Sequence, residues 1–141
     1  MNHFKRLEKI YLNANFNKYL YSNTEIIVEK NNAEIKMPIK VEYFHALNAI
    51  HGSVYFKMLD DAAFFAAQSI VEDYMLLTAS FNINFKMPVS TGFITAKGRL
   101  KSFSKKEFIA ESILFNANDE IVAFGHGIFK KSKISICSIV E

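Results

Sequence analysis

The chain is poor in cysteine, in long apolar runs and in excess charge of either sign. Cys137 is the only cysteine among 141 residues. A single thiol excludes an intrachain disulfide and points to a reducing compartment, so a cytoplasmic protein is expected. Its neighbours Ile136 and Ile139 suggest a packing position and not a nucleophile. No stretch reaches the roughly 18 apolar residues that a membrane span requires. The richest, 54–71, is broken by Lys57, Asp60, Asp61 and Gln68. The opening MNHFKRLEKIYL alternates charged and apolar residues and lacks the uninterrupted apolar stretch of a secretory signal. A soluble protein without a membrane partner is the expectation. The net charge is only +3, with no arginine-rich arm or nucleic-acid motif beside it, so nucleic acid is not an expected partner. No repeat, linker or low-complexity segment divides the chain, which reads as one domain over 1–141.

What is present is apolar and aromatic. Half of the residues are hydrophobic and 14 are Phe, enough for a core and for apolar pockets or subunit interfaces. Phe4, Leu7, Ile10 and Tyr11 recur at helical spacing, which predicts an amphipathic helix over 2–14. A polar passage, 13–23, follows. TEIIVE (24–29) and AEIKMPIKV (33–41) read as two strands joined by a tight turn at 30–32, with Pro38 suited to an edge or a bulge. After an irregular stretch, 43–53, the segment from Gly52 to Val71 has no further Gly or Pro and is apolar around nearly its whole circumference. It reads as a long helix buried on most sides. Four strand-like segments, 75–87, 92–103, 107–116 and 120–130, complete the chain as a meander, because their short connections favour antiparallel neighbours. The terminal ISICSIV (134–140) is apolar and fits either a strand extension or an interface. A curled antiparallel sheet wrapped around a buried central helix satisfies this order, an α+β architecture with its core at about 24–130.

The sharpest anomaly is a pair of acids, Asp60 and Asp61, in the middle of that helix. An ionised carboxylate away from water is costly unless paired or hydrogen-bonded. Lys57 stands four residues before Asp61 and three before Asp60, and cannot fully serve both. An ion pair with Asp61 leaves Asp60 as the candidate for chemistry. At the start of the same helix lies His51-Gly52. Backbone N–H groups there are unpaired, carry partial positive charge and, at a glycine, can be approached closely, which suits a carbonyl oxygen. An ordinary capped helix start is the plain alternative. Gly52 and Asp60, eight residues apart, are separated by about 12 Å along one helix. A base and an oxyanion donor must each lie about 3 Å from the reacting group. If both are catalytic, they come from different subunits of a two-fold dimer. The stretch KGRLKSFSKK (97–106) holds five basic residues and no acid, either a solvated strand pair or a landing place for an anion.

HGSVYFKMLDDAAFFAAQ followed by LTASFNINFKMPVSTG resembles the PaaI-like branch of hotdog-fold acyl-CoA thioesterases. The family pattern is His-Gly-Gly, an Asp nine residues after the His, an Ala-rich helix, and a Thr- or Ser-led strand ending in an aromatic-x-x-Pro-Val turn and a Gly. Here Ser53 replaces the second Gly, Asp60 takes the Asp position, Thr78 leads the strand, and Phe85, Pro88, Val89 and Gly92 complete the turn. Gly125-His126-Gly127 fits the last strand. The family's Asn six residues before the His and Gly three before it are here His45 and Asn48, either of which is a candidate to replace that Asn.

The resemblance implies a thioester hydrolase without metal or cofactor, acting on an acyl-CoA. Asp60 would be general base or nucleophile, Gly52 would polarise the carbonyl, His51 would steady the loop, and Thr78 would position water. Phe56, Phe64 and Phe81 would line the acyl slot, while Arg99, Lys101 and Lys105 would meet CoA phosphates. Assembly as a homodimer at least, and as a dimer of dimers, is implied as well. Two other readings keep the same fold. A non-catalytic acyl-CoA or acyl-carrier binding module would have no reason to bury Asp60. A dehydratase would need a catalytic His with its acid.

Overall fold

The computed structural model describes residues 2–139. Two short helices, α1 (His3–Asn13) and α2 (Asn15–Leu20), precede a hairpin of β1 (Glu25–Glu29) and β2 (Asn32–Pro38). A loop leads to the long helix α3 (Gly52–Gln68), followed by β3 (Tyr74–Phe85), β4 (Phe93–Phe103), β5 (Glu107–Phe115) and β6 (Ile121–Ser135). The six strands form one antiparallel sheet in the order β1-β2-β4-β5-β6-β3. It curls around α3, which touches every strand.

Small residues set the distance between helix and sheet. Ala62, Ala63, Ala66 and Ala67 are fully buried. Opposite them, a Cβ on Gly98 of β4 would fall 2.1 Å from the Ala62 carbonyl oxygen. Only a residue without a side chain lets the strand pass here. Beside this contact the Ser112 hydroxyl of β5, itself buried, donates to the Leu59 carbonyl at 2.7 Å. Helix and sheet are thus locked together one residue before Asp60. The helix stops at Gln68, three residues earlier than the apolar pattern suggests. The buried Gln68 amide donates to the Val71 and Tyr74 carbonyls and accepts from the Leu76 N–H, which turns the chain into β3 without a glycine.

The passage 13–23, read only as polar, holds α2, anchored where the buried Asn17 amide donates to the Tyr11 carbonyl at 2.8 Å. One expectation of the topology is corrected. The strands after α3 do not form a four-strand meander. Only β4, β5 and β6 are consecutive neighbours, while β3 pairs with β6 at the far edge. A short connection shows only that two strand ends lie near each other, and the curl brings the ends of β3 and β4 together without pairing them. Pro38 ends β2 opposite Phe93 and lies beyond the last residue paired with β1, so on that locally open side its missing N–H leaves no ladder bond unmade.

At the carboxy end, β6 continues to Ser135 and a single 3-10 turn covers Ile136–Ser138; Val140 of the ISICSIV segment lies outside the described residues. Successive side chains of such a turn point about 120° apart. Ile136 therefore enters the core, and Cys137 is exposed instead of packed.

Among the described residues no helix is long and apolar enough to cross a membrane. Substitution at the helix–sheet contact tests the packing: Gly98→Ala is expected to cost about 3 kcal/mol or more by denaturant unfolding, and Lys97→Ala on the outward face less than about 0.5 kcal/mol. Equal stability of the two variants would contradict this account of the closest approach.

Candidate active site

Positions 53, 56, 60 and 64 recur every three or four residues and so share one face of α3. The rest of the helix is largely covered by sheet and N-terminal segment, but here Ser53 and Phe56 are exposed and Asp60 and Phe64 half-buried. Asp60 therefore sits at the margin between core and open surface. Its Oδ1 accepts a hydrogen bond from the Thr78 hydroxyl at 2.9 Å. Thr78 is the fifth residue of β3 and immediately precedes a register shift against β6. Such irregularities re-aim side chains beside functional sites. Burial pushes the Asp60 carboxyl up to about 6, against the Thr78 hydrogen bond that favours its ionised form; neighbouring Asp61 raises it further and Lys57 opposes.

Asp61 is committed elsewhere. The Lys57 ammonium donates to its Oδ2 at 2.5 Å, and the Tyr11 hydroxyl donates to the same oxygen at 2.7 Å. Lys57 also reaches the Tyr11 oxygen at 3.0 Å, and stands 4.7 Å from the Tyr21 ring centroid and 5.4 Å from that of Phe16. Burial, with the adjacent Asp61 charge, drives the Tyr11 hydroxyl strongly upward, so it remains a donor. The ion pair was expected from the spacing. Its aromatic enclosure was not, because the rings come from α1, α2 and the turn beyond. The one hint in the sequence is that a tyrosine on a core-facing helical position needs a partner for its hydroxyl.

The start of α3 is built separately. His51 is the N-cap, its Nδ1 accepting from the Ser53 N–H at 3.0 Å with the Ser53 hydroxyl at 2.8 Å. The Val54 N–H turns back to the His51 carbonyl. This leaves the Gly52 N–H as the first-turn donor without an acceptor among the described residues. Gly52, His45, Tyr55 and Phe85 line a cavity of about 290 Å³. His45 belongs to a loop closed by a bridge between Phe44 and Ile50, its Nδ1 accepting from the Leu47 N–H. Asn48 is exposed at the left-handed position of that loop (φ 62°) and does not line the cavity.

Asp60, Asp61, Thr78 and Phe64 border a second cavity, of about 430 Å³, that shares no lining residue with the first. Phe56 and Phe81 stack edge to face at 5.5 Å outside it, Phe81 resting over Gly125 and Gly127. Arg99 and Lys101 both face Glu111, and Lys97 faces Glu34 at 3.7 Å. The basic stretch thus meets acids from β5 and β2 that its own ten residues do not reveal. Lys105 sits in the β4–β5 turn with Lys106, near Lys130. Among the described residues no three His, Cys, Asp or Glu side chains gather as a metal site.

A curled antiparallel sheet wrapped around one long helix is the hotdog class of fold. Residues 47–123, more than half of the chain, match the thioesterase superfamily, and the protein belongs to that family. Among solved structures it is similar to the Escherichia coli PaaI protein of the phenylacetic acid degradation operon (20% identity, 93% of this chain and 94% of that one, TM-score 0.82). It is also similar to a thioesterase of Haemophilus influenzae (14%, 92% and 90%, 0.78) and a Streptococcus mutans protein bound to acetyl-CoA (15%, 79% and 90%, 0.72). No curated protein matches the sequence.

An acid whose pKa rises on folding favours the protonated fold, so the stability it contributes is complete at low pH and is lost as pH climbs through about 6. Asp60→Asn is therefore expected to exceed the parent by about 1–2 kcal/mol at pH 8, after allowance for partial exposure, with the difference vanishing by pH 4. Denaturant unfolding at both pH values checks this; a variant less stable than the parent at pH 8 would contradict it.

Proposed function

We propose that the protein hydrolyses acyl-CoA thioesters at a site shared by two protomers. One observation carries the reading: Asp60 is a half-desolvated carboxylate with no cation of its own among the described residues, because Asp61 has engaged Lys57. Burying such a group lowers stability and has no purpose in a purely apolar binding groove. The separate cavities of Gly52 and Asp60 agree with a composite arrangement in which α3 helices from two protomers run antiparallel. The protein is then a homodimer at least, and a dimer of dimers where the dimers pair.

In the general-base route, Asp60 takes a proton from water as the water oxygen attacks the thioester carbon. The partner subunit's Gly52 holds the developing oxyanion through its N–H, and Thr78 fixes the carboxylate for proton transfer. Collapse breaks the carbon–sulfur bond; the thiolate takes the proton from Asp60 and leaves as CoA, with the free acid. In the nucleophilic route the Asp60 carboxylate attacks the thioester carbon and expels CoA thiolate, and water hydrolyses the resulting anhydride to the free acid and the Asp60 carboxylate, the second proton of the water passing to the thiolate. His51 keeps the N-terminus of the helix in shape, and His45, which lines the Gly52 cavity, is placed better than Asn48 to meet the thioester. Lys105, with Arg99 and Lys101 sharing Glu111, would face CoA phosphates near the surface.

Thiol release from a panel of acyl-CoAs tests the reading. Asp60→Asn is expected to lower turnover at least about a hundredfold. Gly52→Pro removes the N–H at a helix position where proline is favoured, and is expected to cost about 10²–10³ in kcat with the fold retained. The base must be ionised, so kcat/KM should fall as pH drops through about 6. Unchanged turnover in Asp60→Asn would remove that residue from the mechanism, and binding without turnover by the parent would favour a binding module.

A further inference from the structure

We infer that the acyl group accepted at this site is uncharged, apolar and of about six to twelve carbons, with its length gauged by the N- and C-terminal segments of the chain. The inference rests on the thioesterase reading and adds to it the substrate class. The cavity beside Asp60 is bounded on one side by the reacting carboxylate and Thr78, so an acyl chain whose carbonyl carbon meets Asp60 extends into it. Core residues Tyr11, Phe65 and Leu76 line part of it, and its outer walls come from the ends of the chain as well as from the sheet. Ile10 and Phe16 close it from α1 and α2, Ile134 and Ile139 from the end of the chain, and Leu77 from β3. The cavity's volume, near 430 Å³ and open to solvent on one side, is well above the roughly 150 Å³ that takes a benzene-sized group, which gives room for a chain of medium length.

Charge narrows the class further. Lys57 is the one basic residue in the lining, and it is already bonded to Asp61 and Tyr11. Two carboxylates, Asp60 and Asp61, share the same wall. A terminal carboxylate on the acyl chain would meet the unpaired Asp60 charge and, among the described residues of the lining, no cation that is not already paired. An aliphatic or aryl end meets Phe16, Phe64 and isoleucine.

Phe16 and Ile134 are 55% and 48% exposed, so changing them alters the walls with little expense to the fold. The experiment is kcat/KM for saturated acyl-CoAs from two to eighteen carbons, each of medium length paired with its ω-carboxylated analogue. The parent is expected to peak between about six and twelve carbons and to discriminate at least about tenfold against the ω-carboxylate of equal length. Phe16→Ala should move the optimum to longer chains by about two carbons or more. Ile134→Trp should move it to shorter ones by about two carbons or more. A chain-length profile unmoved by both substitutions, or ω-carboxylated substrates turned over as well as neutral ones, overturns the inference and leaves the thioesterase reading standing. Absence of turnover of every acyl-CoA by the parent overturns that reading and the inference together.

Discussion

Two adjacent acids on one buried helix and a single cation within reach of both: this imbalance shapes everything around the site. Lys57 resolves it in favour of Asp61, and the choice is enforced from outside the helix. The Tyr11 hydroxyl bonds the same carboxylate oxygen, and three aromatic rings surround the ammonium group. With that pair closed on itself, Asp60 is left with a threonine hydroxyl and a partly dry environment. A carboxylate held this way is less comfortable ionised than in water, and correspondingly more basic. The short N-terminal helices, which look peripheral in the fold, decide which acid is available.

Packing fixes where that acid points. The helix lies so close to β4 that only glycine fits at position 98, and the Ser112 hydroxyl holds the carbonyl just before Asp60. Rotation of α3 about its axis would break both contacts. The open stripe of Ser53, Phe56, Asp60 and Phe64 is therefore a set orientation of the helix and not an accident of exposure. It presents apolar surface around a single acid, as a face meant to be covered by something else would.

Much of this was legible beforehand. The unbroken apolar stretch after Gly52 gave the central helix, and strand-like segments bounded by turn residues gave the strands, because both signals are local. The Lys57–Asp61 pair followed from a four-residue spacing. The preference for Asp60 over Asp61 came from that spacing together with the nine-residue interval from His51. What escaped was non-local. The position of β3 beside β6 depends on the curl of the whole sheet. The enclosure of Lys57 depends on residues 36 to 46 positions away. The acids facing Arg99 and Lys97 lie on neighbouring strands, and the buried residue of α2 is an asparagine bonded back to the Tyr11 carbonyl.

The central claim is that base and carbonyl donor reach the substrate from different protomers. Co-expression of Asp60→Asn and Gly52→Pro chains carrying different tags, with isolation of the doubly tagged oligomer, addresses it directly. In a mixed dimer one site carries both substitutions and the other carries neither. Recovery of about half the parent's turnover from two inactive components is the expected result. A doubly tagged dimer, with the two chains joined within one dimer, as inactive as either homodimer would mean that each site is built within one chain.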